Sequence, residues 1–196
     1  ETTVASVDID NATSGNIEIA ETNAITVLKA VQGTAGNIGI AAGGTITVAN
    51  GTTNNAITAA GSGTITLSTS SGGDVLINSS IESVTGGIVV AANRVLTIAN
   101  GAVIDAGSGT IALQAQETIT LGQVTTTNTG TTAVTLTSAV GRIVDGGDTG
   151  GADVIAGGRL VIDAVTGVGS GNALETTVAS VDIDNATSGN IEIIET

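Results

Sequence analysis

The sequence predicts an all-β protein, a parallel β-helix (β-solenoid) of about seven coils of 21–31 residues per 174-residue repeat. Three observations predict it. The composition favours strands around a narrow core, a 19-residue segment occurs twice at an offset of 174, and a shorter period runs between the two occurrences.

The composition sets the core. Among 196 residues there is no aromatic, Cys, Met, Pro or His, yet hydrophobic residues make up 41% of the chain beside 29 glycines. Without the large buried area of aromatic rings, the interior has to be built from Ile, Val, Leu and Ala. Enrichment in Val, Ile and Thr favours strands, because β-branched side chains suit a pleated surface.

The duplication sets the scale. "ETTVASVDIDNATSGNIEI" spans Glu1–Ile19 and returns at Glu175–Ile193; after one mismatch, Ala20 against Ile194, the identity resumes with Glu-Thr. We read residues 1–174 as one complete solenoid repeat and residues 175–196 as the start of the next. The absence of Met fits an internal segment of a longer array.

The short period sets the fold. Strand-like pieces follow a Gly or small turn at "GNIEI", "GNIGI", "GTITL", "GGIVV", "GTIAL", "TAVTL", "GRLVI" and again "GNIEI". Their first apolar residues are Ile17, Ile38, Ile65, Ile88, Ile111, Val134, Leu160 and Ile191, at steps of 21, 27, 23, 23, 23, 26 and 31. Independent matches keep the same register: "AGSGTITL" at Ala60 and "AGSGTIAL" at Ala106, "TVANG" at Thr47 and "TIANG" at Thr97. A second strand follows in each unit, at Ile25/Val27, Ile46/Val48, Val75/Ile77, Leu96/Ile98, Ile119/Leu121 and Ile143. A third is read at Ile57, Ile81, Val103/Ile104, Val124 and Val154/Ile155. Within strands, apolar residues alternate with polar or small ones, the period of two that sends one set inward. Three short strands per unit with Gly, Asn and Ser at the corners describe one coil of a parallel β-helix. An antiparallel sandwich would explain the alternation but not the constant distance between homologous strands. Asn16, Asn37, Asn50, Asn100 and Asn190, next to corner glycines, are read as turn or ladder residues.

Runs such as "GNIGIAAGGTITV", "GTITLSTSSGGDVLI" and "RVLTIANGAVIDAGSGTIALQAQETITL" resemble the repeat regions of filamentous-haemagglutinin-like exoproteins, very large secreted proteins of Gram-negative bacteria. The resemblance implies a right-handed parallel β-helix, secretion to the cell surface, and a role in adhesion, aggregation or an extracellular fibre.

Charge and chemistry narrow the function. Eighteen acids face four bases, Lys29, Arg94, Arg142 and Arg159, for a net charge of −14. No cationic face can be assembled for nucleic acid, and no apolar run is long enough for a membrane-spanning helix. Without His, Cys or Tyr, the usual nucleophile–base pairs and zinc sites cannot be built, so no catalytic residue and no enzyme is expected. The densest acidic stretch, "GRIVDGGDTGGAD", offers Asp145, Asp148 and Asp153 as weak calcium candidates, since Asp oxygens and loop carbonyls suit that hard cation. In "VDID", Asp8 and Asp10 with their copies Asp182 and Asp184 should point outward while Val7, Ile9, Val181 and Ile183 point inward. This acidic face either discourages sideways sheet association or bridges fibres through a cation. The Thr pairs Thr45/Thr47, Thr64/Thr66, Thr118/Thr120 and Thr135/Thr137 fall on two strand families and form no single flat array. The expected role is a structural or adhesive rod at the cell exterior. Its partners would be neighbouring copies of the repeat, joined covalently or head to tail, and the surface of a host or neighbouring cell. The alternative is a solenoid module that binds a glycan or calcium, and after it a carbohydrate-active enzyme.

Overall fold

In the computed structural model, residues 3–49, 55–147 and 151–196 are described; they form twenty strands and no helix. Every strand pair is parallel, and the chain winds as a β-solenoid of about eight turns. Three faces recur in each turn. The first stacks Ile17, Ile38, Ile65, Ile88, Ile111, Val134 and Leu160 in register. The second stacks Ile25, Ile46, Val75, Leu96, Ile119 and Ile143. The third stacks Ala30, Ile57, Ile81, Ile104, Val124 and Val154. The period-two reading accounts for all three faces. In Ile111–Ala115, Ile111, Leu113 and Ala115 are buried while Ala112 and Gln114 face out. Most inward side chains of the middle coils have no solvent exposure, and aliphatic residues make up most of the interior.

The corner between the third and first faces explains why glycine recurs two residues before the first-face strands. Gly15, Gly36, Gly63, Gly86 and Gly109 form one column. A Cβ on any of the last four would stand 2.0–2.1 Å from the carbonyl oxygen of the glycine one coil earlier. Some of those carbonyls are capped from inside. Buried Gln32, Ser83 and Thr126 donate to Gly15, Gly63 and Gly109 at 3.1, 2.8 and 2.6 Å, as buried polar groups require. Asparagines continue the column: Asn16 Oδ1 accepts from Asn37 N at 2.9 Å, and Asn37 Oδ1 from Thr64 N at 3.0 Å. Asn190 instead donates to Glu192 at 2.9 Å; Asn50 lies outside the described residues.

One step of the sequence register is corrected. Leu160 is followed on the first face by Val181, 21 residues on, rather than by Ile191. Ile191 lies on the second face, bridged to Val168, which is bridged to Ile143. The two copies of the duplicated segment therefore occupy different faces. Ser6–Asn11 packs on Thr26–Gln32, with Ile9 on Ala30 at the third face. Ser180–Asn185 packs on Arg159–Ala164 at the first. Ile17 reaches Val181 in seven turns, and Ile191 comes one face later, so 174 residues advance seven turns and a third. The expected 31-residue coil does not exist. It arose because identical residues were assigned to the same face, whereas the backbone demands only the same inward–outward alternation.

The glycine column gives a test. Gly86→Ala should clash with the Gly63 carbonyl, backbone that cannot swing away, and cost roughly 3 kcal/mol. The expected result is a lower urea midpoint; an unchanged midpoint would mean that the column can open.

Candidate functional site

Among the described residues, two groups of acids are the candidates for chemistry. The first forms where two coils near the end of the solenoid meet. Asp145 closes the strand Ile143–Asp145 and is half-buried. Its Oδ1 accepts from Gly147 N at 2.8 Å, and its Oδ2 from the Asn172 amide. Asp153 is fully buried, and its backbone N donates to Glu175 O at 2.8 Å, so these two residues stack in adjacent coils. Asp153 Oδ2 in turn accepts from Glu175 N at 3.0 Å. One carboxylate oxygen each from Asp145, Asp153 and Glu175 lie within 4.8 Å of one another. Glu175 Oε2 is shielded from solvent with no hydrogen-bond partner among the described residues. Oxygen atoms at this spacing can be bridged by a hard cation, and in its absence the charges repel. Of the expected calcium residues, Asp145 and Asp153 are thus brought together and Asp148 lies outside the described residues. Glu175 was missed, because the misplaced final coil hid that it lies one turn below Asp153.

The second cluster is the duplicated "VDID". Asp8, Asp10, Asp182 and Asp184 all face out, as the alternation requires, with Ile9 and Ile183 half-buried beneath. They do not share one face, because the two copies sit at opposite ends of the solenoid and a third of a turn apart. Each copy holds one cation: Asp10 Oδ2 pairs with Lys29 Nζ at 2.6 Å, and Asp182 Oδ2 with Arg159 Nη1 at 3.2 Å. The hydrogen bond that the Lys29 ammonium donates to Asp10 holds it above its ordinary pKa of 10.5; desolvation opposes this in part, and the charges of Asp10 and Asp8 add to the rise.

Elsewhere the first face carries a shallow groove whose lining includes Glu18, Asn37, Gly39, Thr64, Thr66 and Ser68, with no ring on which a sugar could stack. No helix among the described residues is long and apolar enough to cross a membrane. Compared with protein-family models, curated proteins and solved structures, the chain matches none. The likeness to filamentous-haemagglutinin-like repeats thus reaches as far as the parallel solenoid.

Two outcomes follow. Glu175→Gln should relieve the carboxylate crowding and, in the presence of a chelator, stabilise by about 1 kcal/mol, raising Tm by roughly 2–4 °C; a lower Tm would show that the carboxylate is held by an attractive partner. The Lys29 contribution to the first coil should be complete below pH 10.5 and lost as pH rises through its raised value. Carbon-detected NMR shifts of Val7–Asp10 should move in that window in the native chain and stay put in Lys29→Gln.

Proposed function

We propose that the chain is a structural repeat of an extracellular bacterial fibre or giant surface adhesin, acting as a stiff rod through coil-on-coil stacking. The observation that carries this reading is the behaviour of the duplicated segment. Its second copy does not fold away from the body but continues the solenoid, with Leu160, Ile162 and Ala164 opposite Val181, Ile183 and Asn185. In a solenoid, contacts run only between neighbouring coils, so a duplicated block docks on the last one without redesign.

Surface charge supports the same reading. With a net charge of −14, rods repel one another sideways, while coil-on-coil pairing runs along the axis. The chemistry that other functions would need is sparse: no aromatic platform for a glycan, no His, Cys or Tyr for acid–base or nucleophilic work. Length, stiffness and spacing are then the function, and adhesion would lie with whatever the rod presents.

Cryo-electron microscopy of the concentrated chain tests this. Filaments are expected with a layer spacing near 4.8 Å along the axis and a longer repeat of roughly 35 Å, the advance of seven and a third coils. Discrete particles without axial repeat would overturn the rod.

A further inference from the structure

We infer that the strand Ser180–Asn185 is the seat for a second copy of this chain, which lays its own Ile25–Gln32 strand there in place of its residues 1–22, turned by about a third of a turn. This rests on the rod reading and adds the geometry and chemistry of the joint.

The two copies of the duplicated segment are the same object in different surroundings. Asn11 Nδ2 donates to Ser14 O and Gly15 O at 3.5 and 3.3 Å; Asn185 Nδ2 donates to Ser188 O and Gly189 O at 3.0 and 3.2 Å. Glu21 accepts from Val4 N at 2.9 Å across one coil, and Glu195 accepts from Val178 N at 3.0 Å in the same way. Corner and coil closure are thus reproduced on another face, so the faces are interchangeable for this segment.

Each copy displays one side of the joint. The first copy has a coil after it, and there Lys29 reaches Asp10. The second has a coil before it, and there Arg159 reaches Asp182. Superposing the copies yields one strand with two aspartates, Arg159 and Asp163 on one edge and a lysine on the other; the lysine faces the aspartate that Asp163 already crowds. Two of the chain's four bases are committed to this strand.

The remaining contacts transfer with it. Gln32 Nε2 and Thr34 Oγ1 donate to Thr13 O at 2.7 and 2.6 Å, and Asn37 N to Asn16 Oδ1 at 2.9 Å. On the seat, Thr187 O and Asn190 Oδ1 stand ready for the same donors. Ile191 is 51% exposed, whereas its counterpart Ile17, with Ile38 against it, is 6% exposed. Ile38 of the second copy would cover Ile191 as it covers Ile17.

Simple abutment of two chains lacks this complementarity. It would set Asp182 and Asp184, the latter already paired with Asp163, against Asp8 and Asp10 in one rotation, or Asp182 against Glu18 in another, adding opposed like charges with no lysine to offset them. Exchange avoids this. The bonds described for residues 3–22 would be remade by their counterparts 177–196, and the released segment regains chain entropy against the rigid-body freedom lost on association. The joint is the same whether the second copy is a separate molecule or the continuation of the polypeptide.

The test uses the full chain, which has no Cys of its own. Ser6 pairs with Thr26, so its counterpart Ser180 should meet Thr26 of a second copy. Those positions lie at opposite ends of one molecule. Oxidising the chain carrying Thr26→Cys and Ser180→Cys should therefore give a ladder of linked oligomers, while Ser6→Cys with Ser180→Cys should give none. In the otherwise native chain, Asp184→Lys should cut end-to-end assembly by about tenfold, and adding Lys29→Glu should restore it. Helical reconstruction should give about a third of a turn per copy. Overturning results are a ladder through Ser6 instead of Thr26, no ladder at all, more assembly with Asp184→Lys, or copies stacked without rotation. Any of these with the 4.8 Å layer line intact removes the joint and leaves the rod; loss of the layer line removes both.

Discussion

Everything in this molecule depends on coil-to-coil backbone pairing in parallel register. Each turn offers its N–H and C=O groups to the turn before and the turn after, and a buried group left unpaired is costly. Because the coils are bonded at fixed spacing, a residue at one point of a turn must accept as neighbour the residue at the same point of the next. Like therefore stacks on like: isoleucine on isoleucine along the first face, glycine on glycine at the corner. A core without aromatics is a consequence. Side chains from three faces fill the interior, and a ring inserted in one coil would have to be matched in its neighbours.

The same constraint explains why polar residues are found inside. Gln32, Ser83 and Thr126 are buried not through failure of the hydrophobic pattern but because the glycine corner turns carbonyls inward that a side-chain donor has to reach. At that corner a hydroxyl or amide is the stabilising choice. At the next inward position an aliphatic group is.

Much of this was legible in the sequence. Ile38, Ile65, Ile88, Ile111, Val134 and Leu160 could be aligned because each follows a small turn residue and opens an alternating strand. Ile57, Ile81 and Ile104 could be assigned to a third face by spacing alone. The final coil could not. Identity between Ile17 and Ile191 argued for one face, yet a strand's alternation says which side of the sheet a residue faces and nothing about which of three sheets it belongs to. Glu175 was lost with that coil, since its meeting with Asp145 and Asp153 exists only once the turns are counted correctly. The placement of "VDID" outward was readable, but its pairing with Lys29 and Arg159 was not, because both cations come from other coils.

The third-face offset between the copies also bears on how such a chain can grow. If the three faces accept one another's strands, the unit of insertion is neither the 174-residue block nor the whole turn. It is a single side of the triangle, on the order of eight residues from one strand start to the next. Recombination between misaligned copies would then yield docked products from many breakpoints, and solenoids of finely graded length could arise without a change of fold.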